Sequence, residues 1–222
     1  MHLKGYSCSV VGSREMNQDS LLIDDVRKLY AVADGVGGGL NGEVASKMAV
    51  DGVAKGFSDP IKFASLFQTL QTSILNEALN TFGEPVMGTT LTAAHVRDND
   101  LYICHVGDSR CYLFDNSQLR QLTEDQEFYD ENVQATVLCS YLGLPPELQT
   151  MKILEEKVPV KAGQRFLLCS DGLYRQMTES RMVALIREMG AEPDKLVARF
   201  CEEAAQKNHS DNVTVVYVEM NE

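Results

Sequence analysis

The chain has 222 residues, 44% hydrophobic and 23% charged, enough for one well-filled domain, and a single domain over 1–222 is expected. A net charge of −12, from 20 basic and 32 acidic residues, argues against a nucleic-acid backbone as the main partner and otherwise describes a solvated surface. No apolar run approaches the roughly 20 residues of a membrane-spanning helix. Met1-His2-Leu3-Lys4-Gly5 also lacks the layout of a secretory signal, so no membrane contact and a cytoplasmic location are expected.

Three strand-like runs open the chain, at 5–11, 20–24 and 28–33, each short, β-branched or aromatic-rich and bounded by Gly, Asp or Asn. A helix over 42–56 aligns Val44, Ala45, Met48, Ala49 and Val53. A second runs from about Pro60 to Thr81, with Ser58 or Asp59 as cap and Phe63, Phe67, Leu70, Ile74 and Ala78 as its stripe. Strands follow at 89–96, 101–106, 110–114, 151–158 and 165–170. A third helix begins near Thr178, presents Met182, Leu185, Ile186 and Met189, and stops at Gly190; a fourth begins at Pro193 and aligns Leu196, Val197, Phe200 and Ala204. A strand at 212–219 ends the series. Hairpin-length gaps favour antiparallel pairing, and two sheets with helix pairs packed outside would bury all four stripes. The six cysteines are scattered, without Cys-x-x-Cys spacing, and read as buried reduced thiols.

The chemistry is carried by apolar runs that stop at an aspartate beside Gly or Asn. Leu29–Ala33 precedes Asp34-Gly35, Ile103–Val106 precedes Gly107-Asp108, and Phe166–Ser170 precedes Asp171-Gly172; Asp211-Asn212 opens the run Val213–Val218. A single Asp-Gly is usually a turn. Four of them on buried-type strands, if they converge, form an all-oxygen site suited to Mg²⁺ or Mn²⁺, because a cation is the natural reason to gather like charges.

The chain resembles the metal-dependent, type 2C serine/threonine protein phosphatases, in their bacterial form. The matching blocks run in family order: Gly12-Ser-Arg14-Glu-Met-Asn17-Gln18-Asp19, Val32-Ala-Asp34-Gly35-Val-Gly37-Gly38, Asn41-Gly42-Glu43-Val-Ala45-Ser46 and Met87-Gly88-Thr89-Thr90-Leu91. They continue with His105-Val-Gly107-Asp108-Ser109-Arg110, Leu122-Thr123-Glu-Asp125, Leu168-Cys-Ser170-Asp171-Gly172-Leu173 and Asp211-Asn212-Val-Thr214-Val-Val216. The resemblance implies an α+β, four-layer αββα sandwich of two antiparallel sheets flanked by helix pairs, with two Mn²⁺ or Mg²⁺ ions at one end. It implies that Asp34 bridges both ions, with the Gly35 carbonyl on one of them, that Asp171 and Asp211 hold the other, and that Asp19 acts directly or through water. Arg14 is implied to grip the substrate phosphate, a bidentate task that suits a planar guanidinium. Asp108 with Asp171 is implied to hold a third, weaker ion. Phosphoproteins are the implied substrates, with a cognate serine/threonine kinase as counterpart and the chain as a monomer.

Two departures qualify the resemblance. Val36 and Gly39 stand where relatives carry a His, so the usual proton donor to the leaving alkoxide is missing. Only Gln126 to Tyr141 is available for the flap that family members insert, which predicts a shortened or nearly absent one. Gly37-Gly38 is expected to shape the turn beside Asp34, and Gly88-Thr89-Thr90, Ser109-Arg110 and His105 to be structural, with His209 a candidate near Asp211. A competing reading from a different class is a catalytically silent phosphoprotein-binding regulatory domain of the same fold.

Overall fold

The computed structural model describes residues 1–36, 41–116, 118–147, 151–207 and 209–222. Its first elements are β1 (His2–Val10), β2 (Asp19–Asp24), β3 (Leu29–Asp34), α1 (Gly42–Gly56), α2 (Phe63–Phe82), β4 (Leu91–Arg97), β5 (Asp100–Val106) and β6 (Arg110–Asp115). They are followed by β7 (Gln118–Gln121), β8 (Glu127–Asp130), β9 (Ala135–Leu138), β10 (Leu154–Pro159), β11 (Arg165–Cys169), α3 (Asp171–Tyr174), α4 (Glu179–Met189), α5 (Pro193–Ala205) and β12 (Val213–Asn221). The expected helices and nine strands are present with shifted ends. Strands β7, β8 and β9 and the single turn of α3 were not foreseen.

Two five-stranded sheets, ordered β1-β12-β11-β6-β7 and β10-β5-β4-β3-β2, are antiparallel throughout. Strand alternation divides their side chains between layers. Leu29, Ala31 and Ala33 of β3 face the stripes of α1 and α2, whereas Tyr30 and Val32 face the other sheet across Phe166, Leu168 and Val216. On the far side Leu167, Cys169, Val215 and Tyr217 meet α4 and α5 through Met182, Leu185, Leu196 and Phe200. Three apolar interfaces thus bind four layers, in the order helix pair, sheet, sheet, helix pair.

The helix ends follow local chemistry. Asp59 Oδ1 accepts the Ile61 N–H at 3.0 Å ahead of a short 3₁₀ turn over Pro60–Lys62. Gly83, at φ 78°, ends α2 in the left-handed region, and Thr178 caps α4 by accepting the Arg181 N–H. All six cysteines are free, four of them buried. The expected Gly37-Gly38 turn, like Gly39, lies outside the described residues.

Antiparallel pairing decides where the acids gather. Asp19 opens β2 directly opposite Asp34, which ends β3. Asp108 follows β5, Asp171 follows β11, and Asp211 precedes β12, whose first residues pair with the end of β11. Strand ends that alternate in direction therefore share one rim of the sandwich.

Candidate active site

A cleft of about 580 Å³ opens at this rim, lined by Arg14, Gln18, Asp34, Gly35, Asp108, Asp171 and Asp211, with the β8–β9 hairpin as one wall. Of the residues singled out in the sequence, six line the cleft directly. The seventh, Asp19, is tied to the rim through Ser170, whose hydroxyl donates to Asp19 Oδ2 at 2.8 Å.

Asp34 is the most closely held. Its N–H donates to Thr90 Oγ1 at 2.9 Å, and its carbonyl accepts from the Thr90 N–H at 2.8 Å and the Thr89 hydroxyl at 2.9 Å. Thr90 Oγ1 lies 2.7 Å from Ser109 Oγ. The structural role expected for these threonines and serine is therefore specific, since they fix the strand end that carries the acid. Gly35 follows with its N–H on the Gln18 carbonyl at 3.1 Å. A β-carbon there would stand 2.5 Å from the Gly42 carbonyl, so a glycine is needed for α1 to start against the site.

The loop bearing Arg14 is held by Asn212. Its Oδ1 accepts the Gln18 N–H at 2.8 Å, while Nδ2 donates to the carbonyls of Val11 at 2.8 Å and Met16 at 2.9 Å. Gly12, at φ 62°, lets this loop pass so close that a β-carbon would meet the Asp211 carbonyl oxygen at 2.1 Å. Arg14 then reaches Asp211, Nη2 to Oδ2, at 2.6 Å. That hydrogen bond, and the charge behind it, raise the guanidinium pKa further.

The electrostatics identify an acidic cluster. Burial, and then the charges of Asp19, Asp171, Asp108 and Asp211, push the Asp34 carboxyl well above the usual carboxylate range. Burial likewise pushes Asp19 up to about 6 and Asp108 up to about 7, and it raises Asp171. Each of these acids is easier to ionise if a cation stands among them. Two buried oxygens, Asp19 Oδ1 and Asp171 Oδ1, have no hydrogen-bond partner among the described residues, which a buried polar atom rarely tolerates without a ligand.

Among the described residues no group of three or more acidic, imidazole or thiol side chains is preassembled to hold a metal ion. Mutual repulsion and two arginines account for this: Arg14 draws Asp211, and Arg175 draws Asp171 and Asp108, at 2.7 and 3.2 Å. The donor set still fits a hard divalent cation. It is all oxygen, carries excess negative charge, and leaves two buried oxygens unpaired.

His105 is buried, with Nδ1 2.8 Å from Thr92 Oγ1 and Nε2 3.1 Å from the Glu124 carbonyl, and burial lowers its pKa to about 4. It is structural, as expected. His209 is exposed and does not line the cleft. Arg110 and Asp125 account for each other, with Nη2 to Oδ2 at 2.6 Å. The flap is short but present, as the hairpin β8–β9. Sequence reasoning missed Asn212 as a clamp, Glu127 on the hairpin and Arg175. Only Arg175 had a local signal, since i,i+4 spacing from Asp171 on a helix allows an ion pair.

The protein phosphatase 2C family profile matches residues 4–201. A serine/threonine phosphatase of Listeria innocua is 31% identical over 221 aligned positions, covering 89% of this chain and 86% of the relative. The crystal structure of the Mycobacterium tuberculosis serine/threonine phosphatase PstP superimposes with a TM-score of 0.88 at 28% identity, over 100% of both chains. The PstP catalytic domain in complex with two manganese ions superimposes with a TM-score of 0.85 at 28% identity, over 100% of this chain and 99% of that one.

Proposed function

The chain belongs to the protein phosphatase 2C family, in its bacterial form, and from that premise we propose that it hydrolyses phosphoserine and phosphothreonine monoesters in proteins. It is a metal-dependent phosphatase. The observation that carries the substrate and mechanism is the rim itself: five aspartates from distant segments face one another, beside an arginine, with two buried carboxylate oxygens unpaired.

Asp34, the Gly35 carbonyl, Asp171 and Asp211 would hold two Mn²⁺ or Mg²⁺ ions, with Asp19 acting directly or through water. When bound, the ions supply an activated water for in-line attack on phosphorus and neutralise charge on the phosphoryl oxygens. Arg14 binds and orients the phosphate, exchanging its contact with Asp211 for the substrate's oxygens. Because the guanidinium is already placed at the rim by the Asn212-held loop, little ordering is needed when substrate arrives. The bond from phosphorus to the seryl or threonyl oxygen breaks as the bond from phosphorus to the water oxygen forms. The alkoxide takes its proton from water in the cleft: Val36 offers none, His105 has both ring nitrogens engaged, and His209 lies outside. The β8–β9 hairpin, with Thr136, Val137 and Leu138 on the cleft, forms the wall against which the phosphopeptide lies.

The reading extends to a single catalytic unit over 1–222, a monomer opposing a serine/threonine kinase in the cytoplasm. Among the described residues no helix is long and apolar enough to cross a membrane. The test is phosphate release from phosphoserine and phosphothreonine peptides. Release with Mn²⁺ and its loss on chelation are expected. Full turnover in excess EDTA without metal by elemental analysis would overturn the metal assignment, and no turnover in Mn²⁺-loaded protein would favour a silent phosphoprotein-binding domain.

A further inference from the structure

Arg175 follows α3 at the edge of the cleft and touches three acids from three parts of the chain. Its Nε donates to Asp171 Oδ2 at 2.7 Å, and its Nη2 donates both to Asp108 Oδ2 at 3.2 Å and to Glu127 Oε2, the first residue of the β8–β9 hairpin. Asp108 is only 5% exposed and has no other basic side chain paired with it among the described residues. Tyr174 backs the arrangement: its ring lies 5.6 Å from the Arg175 guanidinium and 3.6 Å from that of Arg110, and its hydroxyl donates to the Asp108 carbonyl at 3.1 Å. The guanidinium is therefore seated from behind as well as in front.

Asp171 divides its two oxygens. Oδ2 goes to Arg175, whereas Oδ1 is buried without a partner among the described residues. It can thus keep Arg175 and still offer one oxygen to a divalent ion on the Asp34 side. Asp108 Oδ2 faces Asp171 Oδ2 across that same guanidinium, which contacts both. A divalent ion bridging those two oxygens would have to displace the guanidinium from between them.

We propose that Arg175 is the resident cation of this edge: it closes the Asp108–Asp171 pair to a third divalent ion and, through Glu127, ties the flap hairpin to the acidic rim. The inference rests on the two-ion reading above. Arg175 is a positioning residue, so its test reads metal stoichiometry and hairpin protection. Mn²⁺ binding would be titrated by loss of the free-ion electron paramagnetic resonance signal in wild type, Arg175→Lys, Arg175→Met, Asp108→Asn and Arg175→Met/Asp108→Asn. Hydrogen exchange over residues 127–138 would be followed in parallel. Wild type and the lysine variant, which retains the charge and guards against misfolding of the methionine variant, are expected to saturate at two ions. Arg175→Met should admit a third, weaker ion that the added Asp108→Asn removes. Its hairpin amides should exchange about tenfold faster as the tie is lost. Three ions in wild type, reduced to two by Asp108→Asn alone, would overturn the inference while leaving the phosphatase reading intact. Two ions in Arg175→Met with unchanged hairpin exchange would also overturn it. No ions in wild type would overturn both.

Discussion

Asp34 concentrates the site's conflict, since burial and four neighbouring acids all oppose its ionisation. Replacing it with Asn should cost activity roughly 10³-fold or more if, as proposed, its charge helps hold the ions. The same change should raise the melting temperature of the chelated protein, because it relieves repulsion. A pH dependence follows from the raised acids. Below about pH 4 both folded and unfolded chains hold these protons and there is no penalty. Between there and about 6 for Asp19, and about 7 for Asp108, the fold keeps protons that the unfolded chain has released, so rising pH destabilises it. Metal-free protein should therefore melt lower at pH 8 than at pH 5.5, and Asp34→Asn should flatten that difference. Thermal melts in chelator at both pH values measure both effects, and an equal or lower melting temperature for Asp34→Asn at pH 8 would refute the repulsion argument.

Asn212, just ahead of β12, holds the 12–18 loop beside the Ser13–Ser210 and Arg14–Asp211 contacts. Asn212 satisfies the Gln18 N–H and the Val11 and Met16 carbonyls. Asn212→Ala leaves these groups to find water and should cost about 1–3 kcal/mol. The loop carries Arg14, so the loss should also appear as a raised KM for phosphopeptide with a smaller change in kcat. Denaturant melts and steady-state kinetics on the variant check both, and an unchanged KM would mean that the loop holds Arg14 without this clamp.

A net charge of −12 with five acids turned toward one cleft makes cation binding a stability term for the entire fold. Two ions at a hundredfold above their dissociation constants would add about 5 kcal/mol, or roughly 10–20 °C in a chain of this length. Calorimetry with Mn²⁺ and then with excess EDTA reads this directly. A shift of less than a few degrees at saturating Mn²⁺ would show that the rim does not hold its ions tightly.

The four helices, nine of the strands and the acids at their ends were legible from residues alone, because each is a local pattern. A 3.6-residue stripe such as Phe63, Phe67, Leu70 and Ile74 needs one apolar neighbour layer, and a buried run halted by Asp34-Gly35 or Asp171-Gly172 reports its own end. Strands β8 and β9 were not legible: Glu127–Asp130 and Ala135–Leu138 pair mainly with each other and bury too little to show a two-residue alternation. The partners of Arg175 were equally hidden, since Asp108 and Glu127 lie 67 and 48 residues away. Pairing across such distances is decided by which strand ends the sandwich brings to one rim. The residue types that could bind a cation, and the i,i+4 pairing of Arg175 with Asp171, were thus set by sequence, whereas its pairing with Asp108 and Glu127 arose only when the two sheets closed on each other.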